Sequence, residues 1–434
     1  MDNNLIDQIR HANDIVEVVQ SYLPLKHVGS NWRGVCPFHN DTRPSLYVSQ
    51  PKQIFKCFAC GKAGNVFTFV QEYEKLSFIE AVKKLANRMG IQLPEKDRTT
   101  VVSTKRQQLL QVYKAAGIFF GESLFKYGDN MLEYLAQRKI NADTAKDLEI
   151  GYALSSENAL LNHLMKEGYG VSLLKSSGLF FNKDGALSDM FRDRLMFPIH
   201  NNTGDVIAFG GRILVERDGY GKYMNSPGTE LYTKGKELYG LFKTKYNISK
   251  MDYSLVCEGY FDFLRLYESG FTNAVASLGT ALTEDQVYLL NRYSRNVYML
   301  YDGDVAGLKA AIRGGLICLA KGMNVQIVEL PEKDDPDSFI LKHGESAMRQ
   351  QIDNAQGIIP YLATSTRPAE PLKERIDLLL DALRHLSDPV QRELLIQELS
   401  SAFGVSHSAL MSNLNRNNAR DRKSTRLNSS HRIR

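Results

Sequence analysis

The sequence predicts an α+β multidomain chain, and three features predict it. Two cysteine/histidine pairs near the N-terminus are spaced to close one small metal-bound module. Residues 250–345 alternate short apolar runs with helical patterns, the mark of a parallel sheet covered by helices. Residues 346–415 are helical in periodicity, with no strand signal. Between the first and second of these lies a basic stretch of strands and glycine-punctuated loops, a mixed α/β part of its own.

Composition narrows the class. The chain has 434 residues, 43% hydrophobic and 24% charged, a globular balance with room for several domains. No apolar run is long enough to span a bilayer, and no basic segment precedes an apolar core at the N-terminus. The expectation is a cytoplasmic protein with no membrane partner. The formal net charge is +5, but the segment from Arg416 onward holds seven Lys or Arg against one Asp. The rest of the chain is close to neutral, so any nucleic-acid surface must be a local patch. The tail itself, 416–434, has no apolar periodicity and reads as a basic linker or a non-native extension. Five cysteines is an odd number, and Cys36, Cys57 and Cys60 cluster with His39, which favours a metal over disulfides.

Residues 4–20 carry Leu5, Ile6, Ile9, Ile15, Val16, Val18 and Val19 at mixed spacing and predict one or two short helices. Cys36-Pro37-Phe38-His39 and Cys57-Phe58-Ala59-Cys60 follow, with 17 residues between His39 and Cys57. CxxH and CxxC turns each aim two ligands at one tetrahedral ion, and strands are predicted near 46–48 and 54–56. This is a zinc-ribbon pattern. Four protein ligands make the site closed, hence one structural Zn²⁺ rather than a catalytic one. From Asn31 to Lys62 there are five basic residues and one acid, interleaved with Trp32, Phe38, Tyr47, Phe55 and Phe58. Cations along a backbone beside aromatics that stack bases suit single-stranded DNA. Trp32, Arg33, Arg43 and Lys56 are the candidate contacts, while some of the phenylalanines form the small core instead. Helices are predicted from Gly64 to Tyr73 and from a capping box at Ser77…Glu80 to Met89. The module is placed at 1–93, with a tether at 94–105.

Residues 106–150 read as helical until Gly151-Tyr152-Ala153. The stretch FRDRLMFPIHNNTGDVIAFGGRIL then predicts a hairpin turning at Asn201–Gly204, bringing Arg192, Arg194 and Arg212 near one another. Between Gly219 and Lys250 six lysines face two glutamates. A basic, glycine-rich segment beside a carboxylate site suits a groove for template and triphosphate.

The catalytic candidates are acids at strand ends. Val297–Tyr301 reads as a buried strand ending in Asp302-Gly303-Asp304, followed by helical Ala306, Leu308, Ala310, Ala311 and Ile312. Ser254–Cys257 ends in Glu258, with Asp262 four residues on; Asn324–Leu330 is followed by Asp335-Pro336-Asp337. In a parallel sheet these ends converge where ligands bind. Six carboxylates in one cleft call for hard divalent cations, Mg²⁺ or Mn²⁺, and hence for phosphoryl transfer. Asp302 and Asp304 would hold Mg²⁺, with Asp335 and Asp337 sharing it. Glu258 would act on the attacking hydroxyl or its metal, and Asp262 would stand behind them.

The Glu-Gly-Tyr…Asp, Asp-Gly-Asp and Asp-Pro-Asp elements, in this order, resemble the Toprim domain. With the CPFH…CFACG ribbon and the segments FRDRLMFPI, FGGRIL, YMNSP and KGKELYGL, the chain from 1 to about 415 resembles DnaG-type bacterial primases. The resemblance implies an α+β architecture: zinc ribbon, basic subdomain at 106–249, Toprim subdomain at 250–345 and helical subdomain at 346–415. It implies synthesis of short RNA primers on single-stranded DNA from ribonucleoside triphosphates. It assigns phosphate or template contacts to Arg192, Arg194, Arg212, Lys222, Asn225, Lys234 and Lys236. It also implies work at the replication fork beside a replicative helicase, although the family's helicase-docking domain is not expected within this chain. Two alternatives stay open: a Toprim nuclease or topoisomerase, and a non-catalytic zinc protein that binds single strands. No GxxxxGK[ST] occurs, so a fused helicase is not expected.

Overall fold

The computed structural model of the chain describes residues 3–39, 41, 43–74, 76–91, 100–215, 221–279, 281–367 and 370–414. Residues 92–99 and 415–434, which include 94–99 of the expected tether and the whole basic tail, lie outside them. The chain forms two compact units, one of residues 1–233 with 241–251, the other of 234–240 with 252–434.

The first unit opens on helices Asn3–Ala12 and Ile15–Gln20. A five-stranded antiparallel sheet follows, Lys26–Val28, Asn31–Gly34, Leu46–Ser49, Ile54–Cys57 and Ala63–Gly64, in chain order. Two of these strands, Leu46–Ser49 and Ile54–Cys57, were predicted; the other three were not. One face of this sheet packs Leu46, Val48, Phe55 and Cys57 against Phe69, Val70, Val82 and Leu85. The helices are Val66–Glu74 and Phe78–Arg88, the latter opened by the expected Ser77–Glu80 capping box. Glu74 is buried but not alone: its carboxylate takes Lys84 at 2.6 Å and Lys245 at 3.7 Å.

Residues 100–105, expected as tether, instead form the first turns of helix Thr100–Tyr127. The charged and hydroxylic composition there is compatible with a helix once the apolar positions beyond it dock. Tyr113 stacks on Phe209 at 5.7 Å and Phe120 meets the same ring edge-on at 5.2 Å. Phe209 belongs to a four-stranded antiparallel sheet ordered Tyr223–Asn225, Val206–Arg212, Arg194–His200, Gly151–Ala153. The predicted hairpin is its centre. Gly151–Ala153, read as a break in a helix, is its edge strand.

The second unit is the alternating α/β part. Its sheet runs Ala274–Ala276, Ser254–Cys257, Asn296–Met299, Asn324–Ile327, Gln356–Gly357, parallel except for the last strand. Leu255, Val256, Val297, Met299, Val325 and Ile327 are all buried. Apolar strands of this kind are covered by helices on both faces. After Ser254–Cys257 the chain steps to one side, to Ala274–Ala276, and then to the other, to Asn296–Met299. The crevice between the two inner strands is therefore the switch point at which such sheets bind ligands. Helices Leu372–Arg384 and Pro389–Phe403 complete the unit. Among the described residues, no helix is long and apolar enough to cross a membrane.

Candidate active site and metal centres

The ribbon's two turns bring Cys36, His39, Cys57 and Cys60 together, with all four ligand atoms within 4.8 Å of one another. Cys36 Sγ and Cys60 Sγ are 3.9 Å apart. His39 Nδ1 is buried and has no hydrogen-bond partner, while Nε2 lies 3.8 Å from Asp41 Oδ1. That is the arrangement of a metal-bound imidazole, one nitrogen for the ion and the other toward a carboxylate. Asp41 is fixed in turn by the Cys36 N–H at 2.8 Å and Ser45 Oγ at 2.7 Å, which hold it down at about 2. Burial opposes ionisation of Cys57, yet N–H groups of Cys60 and Ala59 and the Ser45 hydroxyl bring its thiol down to about 6. The Cys36 thiol is instead pushed up, by burial and then by Cys57 and Cys60. A clustered donor set with an orphaned imidazole nitrogen fits Zn²⁺, whose charge would hold the thiolates.

The ribbon's outer face is basic and aromatic. Register aligns Arg33 with Tyr47 and Tyr47 with Lys56, so the three share one face. Lys56 Nζ is 5.1 Å from the ring centre of Phe58, which is 68% exposed, and Phe58 meets Tyr47 edge-on. Arg43 is exposed nearby in sequence. Trp32 is different. It aligns with Val48 and hence with Phe55, on the opposite, core-facing side, and packs against that core. Alternation along the strand sends it inward, which corrects its placement beside Arg33 and Lys56.

In the second unit the acids converge on the switch point. Val256 pairs with Met299, so the ends of strands Ser254–Cys257 and Asn296–Met299 lie level. Glu258 follows its strand directly, and Asp302 comes three residues after the end of its own. Burial raises Glu258, and Asp304 raises it further. Asp302 is pushed up to about 7 by burial, then by Glu258, Asp335 and Asp304. Asp262 is buried and held well above the usual range, by burial first and then by Asp302, Asp335 and Asp337. Glu258, Asp302 and Asp262 are thus each raised by burial first and then by acids from the neighbouring strand ends. Such a cluster retains protons unless cations replace them, which fits hard divalent ions.

Four of the six acids also have a local structural task. Asp304 Oδ1 caps helix Val305–Ala320 through the Gly307 N–H at 2.7 Å, and Asp335 Oδ1 caps Pro336–His343 through Ser338. Asp262 Oδ2 accepts from the Gly259 N–H at 2.9 Å. Asp337, expected as a metal ligand, is buried against Arg265, whose Nε donates to Oδ1 at 2.9 Å. In the expected basic set, Arg194 is buried and donates to the carbonyls of Gly211, Gly221 and Lys222. Arg212 is buried, bonds Tyr223 Oη at 2.6 Å and lies over the rings of Tyr134 and Tyr223. Both are thus engaged inside the protein, Arg194 by carbonyls of the hairpin and the segment after it and Arg212 by tyrosines. Arg192 is half-buried, 3.9 Å from Glu157. Lys222, Lys234 and Lys236 are exposed and Asn225 is half-buried on its strand. Sequence reading missed Arg265, Asp334 and Arg367. Asp334 accepts the Gly303 N–H on its carbonyl at 2.8 Å, and its carboxylate pairs with Lys342.

A closed zinc module on a chain whose switch-point crevice gathers acids for divalent metal defines a metal-dependent enzyme of phosphoryl transfer. Comparison with known proteins makes this specific. Residues 1–101 match the CHC2 zinc finger, 119–245 the N-terminal domain of the DNA primase catalytic core, and 255–340 a Toprim-like domain. The DNA primase of Clostridium acetobutylicum is 37% identical over 94% of this chain and 69% of its own length. That of Aquifex aeolicus is 38% identical over 95% and 81%. The crystal structure of the Aquifex aeolicus primase zinc-binding and RNA polymerase domains aligns with a TM-score of 0.66, covering 95% of this chain and all of that one. A DnaG primase catalytic domain bound to ssDNA aligns at 0.63 and 31% identity, covering 71% of this chain and 99% of that one.

The chain belongs to the DnaG-type DNA primase family. It is a nucleotidyltransferase, a DNA-directed RNA polymerase that makes RNA primers in DNA replication. Its Cys/His set is a structural zinc site, and its Toprim domain and primase core go with a divalent metal.

Proposed function

We propose that Asp302 and Asp304 hold Mg²⁺ or Mn²⁺ for primer extension, with Glu258 acting on the primer 3′-hydroxyl or its metal. Asp335 completes the set from the third strand end. Asp262 and Asp337 stand behind, one buried beneath the acids and the other fixed by Arg265. The bound cations supply neutralisation of the triphosphate and its alignment with the attacking oxygen. The observation that carries this reading is geometric: level strand ends set Glu258 and Asp302 beside the sheet's switch point, where burial and neighbouring acids raise both.

Single-stranded template DNA is read as meeting the face with Arg33, Lys56 and Phe58, with Arg43 beside it, by phosphate contact and base stacking. Arg192, Lys222, Asn225, Lys234 and Lys236 are read as further phosphate contacts for template or ribonucleoside triphosphate. Lys234 and Lys236 belong to the segment tied to the Toprim edge strand, where Tyr239 bridges Ala276. Domain limits of 1–93, 106–249, 250–345 and 346–415 suit this division of labour, as does a place in the bacterial cytoplasm at the replication fork. A helicase partner follows from the family resemblance alone, and we assign it no surface here. The test is Asp304→Asn. It removes one charge and keeps a helix-capping oxygen. The expected result is loss of template-directed primer synthesis with an unchanged melting transition; retained synthesis overturns the ligand assignment.

A further inference from the structure

Arg367 lies outside the Toprim-like match, three residues past helix Ile358–Thr364, yet it reaches the acidic turn. Its Nη1 donates to Glu329 Oε1 at 2.9 Å and to the Leu330 carbonyl at 2.6 Å. Its Nη2 donates to the carbonyl of Gly303, the residue between Asp302 and Asp304. One guanidinium therefore ties together the second and third acid-bearing loops. The Gly303 peptide is held from the other side too, because its N–H donates to the Asp334 carbonyl at 2.8 Å. A side chain at this glycine would run into the Pro331 carbonyl oxygen, so the two loops touch with no space between them. Gly307 closes the same turn from the helix side, since a Cβ there would meet the Asp302 carbonyl.

The geometry matters because two like-charged carboxylates one residue apart would, left to themselves, rotate away from each other. Asp304 has one oxygen committed to its helix cap; Asp302 has no cap bond and depends on the backbone on either side. A planar fork that engages two carbonyls and a carboxylate at once fixes that backbone in a way a point charge does not.

We infer that Arg367 is a positioning residue for primer synthesis: by gripping the Gly303 and Leu330 carbonyls it holds Asp302 and Asp304 in their metal-binding arrangement. The helical part of the chain after the Toprim sheet thereby completes the site. The inference rests on the reading that Asp302 and Asp304 hold the metal.

The test uses the full chain with Arg367→Gln and Arg367→Lys, and Asp304→Asn beside them. Mn²⁺ binding is read by electron paramagnetic resonance without nucleotide, and primer synthesis is titrated with Mg²⁺. Removing an outer group that orients a metal ligand costs about tenfold or more in metal affinity. Arg367→Gln is expected to weaken Mn²⁺ binding and raise the half-saturating Mg²⁺ by about that factor. Much of the lost rate should return at high Mg²⁺. Arg367→Lys keeps the charge but not the fork, and should fall between, whether or not the glutamine variant folds. Wild-type Mn²⁺ affinity in the folded lysine and glutamine variants, with Asp304→Asn inactive, overturns the role of Arg367 alone. An active Asp304→Asn with undiminished Mn²⁺ binding overturns the underlying ligand assignment, and the inference with it.

Discussion

Asp302 is a carboxyl that keeps its proton to near neutrality, pushed up to about 7 by burial and by Glu258, Asp335 and Asp304. In the unfolded chain its value is the ordinary 3.8. The folded state therefore binds the extra proton, and the associated stability is full below the unfolded value and lost as pH rises through the folded one. A divalent ion must displace that proton, so apparent affinity for Mg²⁺ should rise about tenfold per pH unit below 7 and then level off. Calorimetry in buffers of different ionisation heat would show the released proton; pH-independent binding would contradict the assignment. The six acids were legible in sequence because each lies where an apolar run gives way to a helix: Glu258, Asp302, Asp304 and Asp335 before the helix, Asp262 and Asp337 in its first turn. Trp32 was misplaced because its strand, Asn31–Gly34, is too short to show which face it presents. Arg265 and Arg367 were not legible at all: their partners lie 72 and 64 residues away, and nothing local distinguishes an arginine that will be buried.

At the scale of elements, helix starts were read well where the signal lies within one turn. The box Ser77–Glu80 forms as the sequence predicts, and Thr283–Gln286 and Asp388 cap their helices through the same local pattern. Helix Pro336–His343 shows what local reading leaves out. Its N-cap Asp335 faces the site, while Asp337, two residues on, turns into the protein to meet Arg265. Both partners of that pair are almost wholly buried. Replacing Asp337 with alanine leaves a buried guanidinium charge without this carboxylate, a loss of about 3–5 kcal/mol. Chemical denaturation should show that drop; a change under about 1 kcal/mol would mean that Asp337 serves the metal and not Arg265. Strand order was the other gap. Alternating strands and helices announce a parallel sheet, but no residue declares which neighbours pair, so the switch point between Ser254–Cys257 and Asn296–Met299 appears only in the fold.

Over the whole chain, the two compact units rest on different foundations. The ribbon sheet is five short strands, with buried Cys36 and Cys57 lining its core, so its folding free energy includes that of metal binding. A zinc-selective chelator should raise amide exchange across residues 26–64 to unprotected rates. The strands Ser254–Cys257 and Asn296–Met299 should stay protected. Equal loss in both would show that the metal supports more than the ribbon.

The account depends most on three strand ends sharing one divalent-metal pocket. Fe²⁺ with ascorbate, which cuts the backbone beside a bound ion, tests this directly. The expected result is cleavage at three places, near 258, 302–304 and 335, all suppressed together by excess Mg²⁺. Cleavage at one of these alone, or none that Mg²⁺ competes away, would contradict it.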